Sequence, residues 1–281
     1  MQTLTDIPAA ERRLDLTGVS TALLEGGDGP PLVCLHGPGA NASRWDCVIR
    51  DFASTNRVVA PDLPGLGESK LANGKPTAAL VVDWLAELIS ETCTEAPTVI
   101  GNAVGGAIAV RFANERAGEC ARLVLVDSLG LRAFQPAPQF GRALNAFVAD
   151  PTEATHEELW RYCAHDLPRL QMRMGAEWES FAAYNLDRAQ TPEVMMALGA
   201  LMGDFGLPAI PASELARIDV PTSLIWGRHD LATPIEVAEQ VSARYDWPLA
   251  VIEDCGDDPP VEQPEPFVAA LREQLDQEAA R

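Results

Sequence analysis

Several residues able to do chemistry follow short apolar runs. Asp127 closes Leu123-Val-Leu-Val-Asp127, and Asp230 follows Thr222-Ser-Leu-Ile-Trp-Gly227. Asp257 and Asp258 come just after Leu249-Ala-Val-Ile-Glu253 and the pair Cys255-Gly256. A fourth run, Thr98-Val-Ile100, enters the glycine-framed turn Gly101-Asn-Ala-Val-Gly105, with Ala103 at its centre. Carboxyl groups can exchange protons with a bound molecule. The methyl group of Ala103 cannot attack anything, and the Asn102 amide can bond a ligand but is no useful nucleophile. The four histidines (His36, His156, His165, His229) all precede Asp230. The six cysteines (34, 47, 93, 120, 163, 255) form no Cys-x-x-Cys pair and no metal-ligand spacing.

The elements that must position these groups alternate between strand and helix. Two short strands are expected at Arg13-Leu-Asp-Leu16 and Ser20-Thr-Ala-Leu-Leu24. Pro31-Leu-Val-Cys-Leu35 is a continuous apolar run, which suits a strand buried on both faces of a parallel sheet. It ends in His36-Gly-Pro-Gly39. Further strands are read at Arg57–Ala60, 97–100, Leu123–Asp127, Thr222–Gly227 and Leu249–Glu253, with helices at Trp45–Phe52, Thr77–Cys93, Ala107–Ala117, Ile235–Arg244 and from Pro264. This alternation predicts a mostly parallel, doubly wound α/β sheet of eight strands. Between residues 131 and 211 the strand signals stop. Amphipathic helical segments appear there, broken by Pro136, Pro138, Pro151, Pro168, Pro192 and Pro208. The expected division is a core of residues 1–130 and 212–281 with an inserted helical cap at 131–211. All methionines beyond Met1 fall in the cap, beside Trp160, Trp178, Phe181, Tyr184 and Phe205, and they suit an adaptable apolar pocket.

Composition narrows the partners. A chain of 281 residues with 47% hydrophobic content can bury a large core. Its net charge of −20 argues against nucleic acid and anionic membrane surfaces, both of which reward basic patches. Met1–Arg13 lacks the basic start and apolar run of a leader, and no apolar run approaches the ~20 residues of a membrane span. Scattered thiols with apolar neighbours suit a reducing compartment, so a cytoplasmic location is expected. No Gly-Lys-Ser/Thr phosphate loop or first-strand Gly-x-Gly-x-x-Gly is present, and no cofactor or metal is implied.

Five motifs occur in a fixed order: His36-Gly-Pro-Gly39, Asp62-x-x-Gly-x-Gly-x-Ser69, Gly101-x-Ala103-x-Gly105, Trp226-Gly-x-x-Asp230 and Cys255-Gly-Asp-x-Pro259. Together they resemble the α/β-hydrolase fold family over residues 20–275. The cap places the resemblance near its ring-cleavage-product hydrolase and epoxide-hydrolase-like branches. The family implies a triad in the chain order nucleophile, acid, histidine, with an oxyanion hole. On that resemblance Asp230 matches the acid, Ala103 the nucleophile and Asp257 the histidine. His36, Gly37, Pro38 and Gly39 match the oxyanion loop, and Val104 supplies the helix-start amide. Asp127 is read as a structural turn residue, and Asp62–Ser69 as scaffold.

Three positions depart from the family pattern. Ala103 is inert, Asp257 is no imidazole, and Pro38 lacks the N–H that would help hold an oxyanion. Three concerted departures favour divergence over a single disabling replacement. In this fold the histidine bridges acid and nucleophile, so Asp257 is expected near Asp230, where two carboxyls would raise one another's pKa. The preferred reading is a non-hydrolytic enzyme acting on a small apolar or aromatic molecule through Asp257 and Asp230. Proton transfer, dehydration, cyclisation or decarboxylation would fit. The alternatives are a non-catalytic binder of such a molecule and a hydrolase disabled at Ala103 and Asp257. A divalent ion among Asp230, Asp257 and Asp258 is a lesser option, and self-association as a homodimer stays open.

Overall fold

A computed structural model describes residues 9–276. The outermost parts of the expected core, 1–8 and 277–281, lie outside the described residues, as does most of the segment read for a leader. Nine strands form one sheet: β1 (Ala10–Leu16), β2 (Val19–Gly26), β3 (Pro31–Leu35), β4 (Arg57–Pro61), β5 (Lys70–Leu71), β6 (Thr98–Asn102), β7 (Arg122–Val126), β8 (Thr222–Gly227) and β9 (Leu249–Ile252). Eight of them run in the order β1-β2-β4-β3-β6-β7-β8-β9. The β1–β2 and β2–β4 pairs are antiparallel, and every pair from β4 to β9 is parallel. The ninth strand, β5, is two residues pairing with Val19 and Ser20, too short to leave a periodic signal in the sequence.

Alternation along the central strands divides the core in two. Leu32, Cys34, Val58, Ala60, Val124, Val126 and Ile225 face one side, where they meet Val48, Ile49 and Phe52 of α1 (Asp46–Phe52) and Phe267 and Leu271 of the final helix (Pro264–Asp276). Val33, Leu35, Val59, Val99, Leu123, Leu125 and Trp226 face the other. There they meet α2 (Ala78–Thr92), α3 (Val104–Glu115) and the helix Ile235–Tyr245. Such two-sided burial explains why these strands are almost uninterrupted apolar runs. Helix α2 starts where the Thr77 side chain accepts from the Leu80 N–H. It turns Trp84 inward, and the indole N–H donates to the fully buried Thr21 hydroxyl at 2.9 Å.

Between β7 and β8 the chain is helical: α4 (Pro138–Ala149), α5 (Glu153–Cys163), α6 (Leu167–Met174), α7 (Glu177–Ala189), α8 (Pro192–Leu201) and α9 (Ala212–Leu215). Pro138, Pro168 and Pro192 sit in the first turns of α4, α6 and α8, where a missing N–H costs nothing. The expected inserted helical region is present. Phe140, Leu159, Trp160, Leu167 and Leu170 form an apolar cluster of its own. Of the five methionines expected to suit a pocket, Met172 is 83% exposed and Met196 53%, while Met174 and Met202 pack against apolar clusters. The centre of this region is aromatic. His156, Trp160, Trp178 and Phe181 meet with ring centroids 4.9–6.2 Å apart.

Candidate functional site

Because β3, β6, β7, β8 and β9 are parallel, their C-terminal ends share one edge of the sheet, and the loops leaving them converge. Those loops carry His36–Gly39, Ala103, Asp127, Asp230 and Asp257 in turn.

Ala103 joins β6 to α3 with φ 47° and ψ −114°, a conformation that L-residues rarely adopt. Its N–H donates to Val126 and its carbonyl accepts from Leu129, so the turn is pinned from β7. Glycine is needed at position 101, where a Cβ would lie 2.5 Å from the Gly105 carbonyl carbon. A Cβ on Gly37 would fall 2.5 Å from Asn102 Oδ1 and 3.4 Å from the Ala103 Cβ, which puts the β3 loop directly beside the turn. Val104 opens α3, so its N–H is among those with no acceptor within the helix. Asn102 is buried and donates to the Val126 carbonyl. Pro38 is exposed, while Ala103, Gly39 and Asp257 keep partial access to solvent.

His36 lies behind the turn, closed off from solvent. It is fully buried, Nδ1 donates to the Gly37 carbonyl at 2.8 Å, and Nε2 accepts from the Leu63 N–H at 3.0 Å. Burial lowers its pKa, consistent with a neutral ring fixed in one tautomer. Asp62 accepts from the Ala42 and Glu68 N–H groups, and these bonds tie the β3 loop to the turn after β4.

The carboxyl groups form a larger cluster than the Asp230–Asp257 pair. Asp127 Oδ1 accepts from the Gly227 N–H at 2.9 Å, and Asp230 Oδ1 accepts from Ala232 and Thr233, both at 2.7 Å. The second oxygen of each is buried without a hydrogen-bond partner among the described residues. Burial, then the charge of Asp230, pushes Asp127 well above the carboxylate range. Burial pushes Asp230 up to about 8 against the two backbone donors. Asp257, whose N–H donates to Cys163, is raised by burial and by Asp230, Asp258 and Glu262. Asp127 is therefore more than a turn residue: its φ of 43° does make the turn, and its carboxyl joins the cluster.

Two members leave no clear mark in the sequence. Glu262, 8% exposed, accepts from the Gly256, Asp258 and His165 N–H groups, and burial pushes it up to about 7. It lies on the one-turn helix Pro259–Glu262, which folds back over its own preceding loop; only the Pro-Pro start hinted at that turn. Arg44, in the 3-10 turn Ala42–Trp45, pairs with Asp258 Oδ2 at 2.9 Å and lies over the Phe181 ring. Asp258 is thus committed to a cation and does not join Asp230 and Asp257 in an ion-binding trio. The two histidines of the helical region are also engaged elsewhere: His156 with Asn185 at 3.0 Å, and His165 stacked on His229.

The family description "Alpha/beta hydrolase family" matches residues 32–270. The chain belongs to the α/β hydrolase family. It is 28% identical to the pimeloyl-[acyl-carrier protein] methyl ester esterase of Nitrosomonas europaea, over 87% of this chain and 95% of that one. It is also 28% identical to a 2-hydroxymuconate semialdehyde hydrolase of a Pseudomonas species, over 89% and 88%. Among solved structures it is similar to the 2-hydroxy-6-oxo-6-phenylhexa-2,4-dienoate hydrolase of a Rhodococcus species. There the TM-score is 0.83 at 25% identity, covering 95% and 98% of the two chains. The chain is therefore a member of an enzyme family that includes ring-cleavage-product hydrolases and esterases. No helix among the described residues is long and apolar enough to cross a membrane.

Proposed function

We propose that this α/β-hydrolase-family protein is a non-hydrolytic enzyme that moves protons on a small apolar or aromatic molecule, with no covalent intermediate. Ala103 stands at the family's nucleophile position and Asp257 at that of the histidine. Residues 131–211 act as a cap over a core of 1–130 and 212–281. The observation that carries the reading is the convergence of the buried Asp127 and Asp230 with the half-buried Asp257, all three with raised pKa values. At neutral pH such a group holds protons that exposed carboxyls would have lost. Asp257 is the member with access to solvent, so it meets the substrate and gives or takes the proton. Asp230 and Asp127 stand behind it and set its proton affinity. Pro38 supplies no N–H, so charge developing on a substrate oxygen is met by the Val104 amide with Gly39 beside it.

Native mass spectrometry of protein purified from its own host would capture the bound compound, and product analysis would follow in wild type and in Asp257→Asn. Removing a general acid–base group is expected to lower turnover by about 10²–10⁴-fold while the compound still binds. Turnover unchanged in Asp257→Asn refutes the mechanism, and a compound held but never converted makes the protein a binder.

One observation favours a second reading, a hydrolase that has lost its nucleophile. The turn at Ala103 keeps a strained backbone that serves to present a side chain, yet presents only a methyl group. Ala103→Ser together with Asp257→His would then restore esterase activity. An inert double variant with intact folding removes that reading.

A further inference from the structure

Away from the carboxyl cluster, three chain segments bring metal-ligating side chains together at the surface. His165 lies between α5 and α6, His229 follows β8, and Asp254 follows β9. One ligand atom from each lies within 4.8 Å of the other two. The imidazole rings are stacked, with centroids 4.0 Å apart and 16° between planes, and His165 Nε2 is 3.9 Å from Asp254 Oδ1. All three side chains are exposed, so the two rings are free to unstack and aim a lone pair from each at a common point beside Asp254.

The backbones beneath them are held. The His165 N–H donates to Glu262 Oε2 and the His229 N–H to the Cys255 carbonyl, both at 2.8 Å. The Asp254 carbonyl accepts from the Gln263 amide at 2.8 Å, and its φ of 52° fixes the turn that lifts its carboxylate. Each anchor bond ends on the segment 254–263, so one rigid loop sets the spacing of all three groups.

We propose that His165, His229 and Asp254 form a binding site for a borderline divalent transition metal of the zinc type. Two imidazole nitrogens and one carboxylate oxygen match the donor preference of such ions, and water completes the shell. Calcium or magnesium, which prefer all-oxygen shells, are excluded by the same donors. Because His165 belongs to the inserted helical region and the other two ligands to sheet loops, the ion ties that region to the sheet. His165 lies two residues after Cys163, whose carbonyl accepts from the Asp257 N–H.

The test titrates chelator-stripped full-length protein with zinc chloride by calorimetry and with cobalt chloride by visible absorption. One equivalent should bind, with a cobalt spectrum of low coordination number. The melting temperature should rise with added zinc. His165→Ala, His229→Ala and Asp254→Asn should each weaken binding at least about tenfold, as loss of a metal ligand requires. Their metal-free melting temperatures should stay at the wild-type value, since the side chains are exposed. His156→Gln, a buried histidine with other partners, should leave zinc affinity unchanged. Binding that survives in the His165→Ala/His229→Ala double variant overturns the proposal, as does binding abolished by Asp257→Asn instead. Absence of a one-to-one titration in the wild type overturns it outright.

Discussion

Replacing Asp230 by asparagine should flatten the pH dependence of stability. Asparagine keeps the shape, and its amide oxygen can still accept from Ala232 and Thr233. What is lost is one proton-binding group whose pKa rises from an ordinary 3.8 to about 8 on folding. Between those values the folded chain holds a proton that the unfolded chain has released. Unfolding therefore releases that proton, and stability falls as the pH rises through this window. One such proton is a slope of about 1.4 kcal/mol per pH unit wherever the pH lies well inside that window. Glu262, raised to about 7, works in the same direction. His156, lowered to about 4, works in the opposite direction, adding stability as the pH rises toward 6.5. Asp127 and Asp257, also raised, work in the same direction as Asp230 and depend on its charge, so the difference between wild type and Asp230→Asn reads proton uptake by the whole cluster. Urea unfolding at pH 5, 6 and 7 should show the variant gaining on the wild type as the pH rises. Equal pH slopes for wild type and variant would refute the buried-proton argument.

Two further outcomes follow from the geometry. Ala103→Gly should leave the melting temperature unchanged or raise it, because relief of about 1–3 kcal/mol of strain outweighs about 0.5–1 kcal/mol of added chain entropy; a loss of about 1 kcal/mol, as in an ordinary helix, would mean the turn is unstrained. Arg44→Ala should cost about 3 kcal/mol while Asp258 is ionised, by stranding its carboxylate, and less as the pH falls and Asp258, already raised by burial, takes up a proton; Asp258→Asn added to it should recover most of the loss in a denaturant series.

The sheet was legible because its central strands are buried on both sides. Pro31–Leu35 and Thr222–Gly227 have no exposed residue to interrupt their apolar runs. The turn at Ala103 was legible because Gly101 and Gly105 leave a fixed spacing where backbones touch. A pairing of Asp230 with Asp257 was readable only through the family resemblance, and the wider cluster was not. Asp127, Asp230 and the segment carrying Asp257 and Glu262 lie far apart in the chain, and nothing local in the sequence reveals that Asp127 and Glu262 turn inward. Arg44 was hidden for the same reason, since its partner is more than two hundred residues away. Met172 and Met196 fall outside the expected lining because a helix's outer face tolerates methionine as readily as a pocket wall does. The packing in that region is done by His156, Trp160, Trp178 and Phe181.

Helix α7 differs from the rest of the helical region in having no fully buried side chain. Its inward side is nevertheless held: Trp178 and Phe181 pack on the apolar cluster of the region, Asn185 meets His156, Phe181 lies beneath Arg44 and Arg188 reaches the Gly67 carbonyl. A helix with no fully buried side chain opens more readily than helices sealed on the sheet. Its amides should exchange with deuterated solvent well before those of α2 or α3, whose inner faces are sealed against the sheet. Early exchange in these thirteen residues would separate the stability of the helical region from that of the sheet edge carrying the carboxyl cluster and the strained turn.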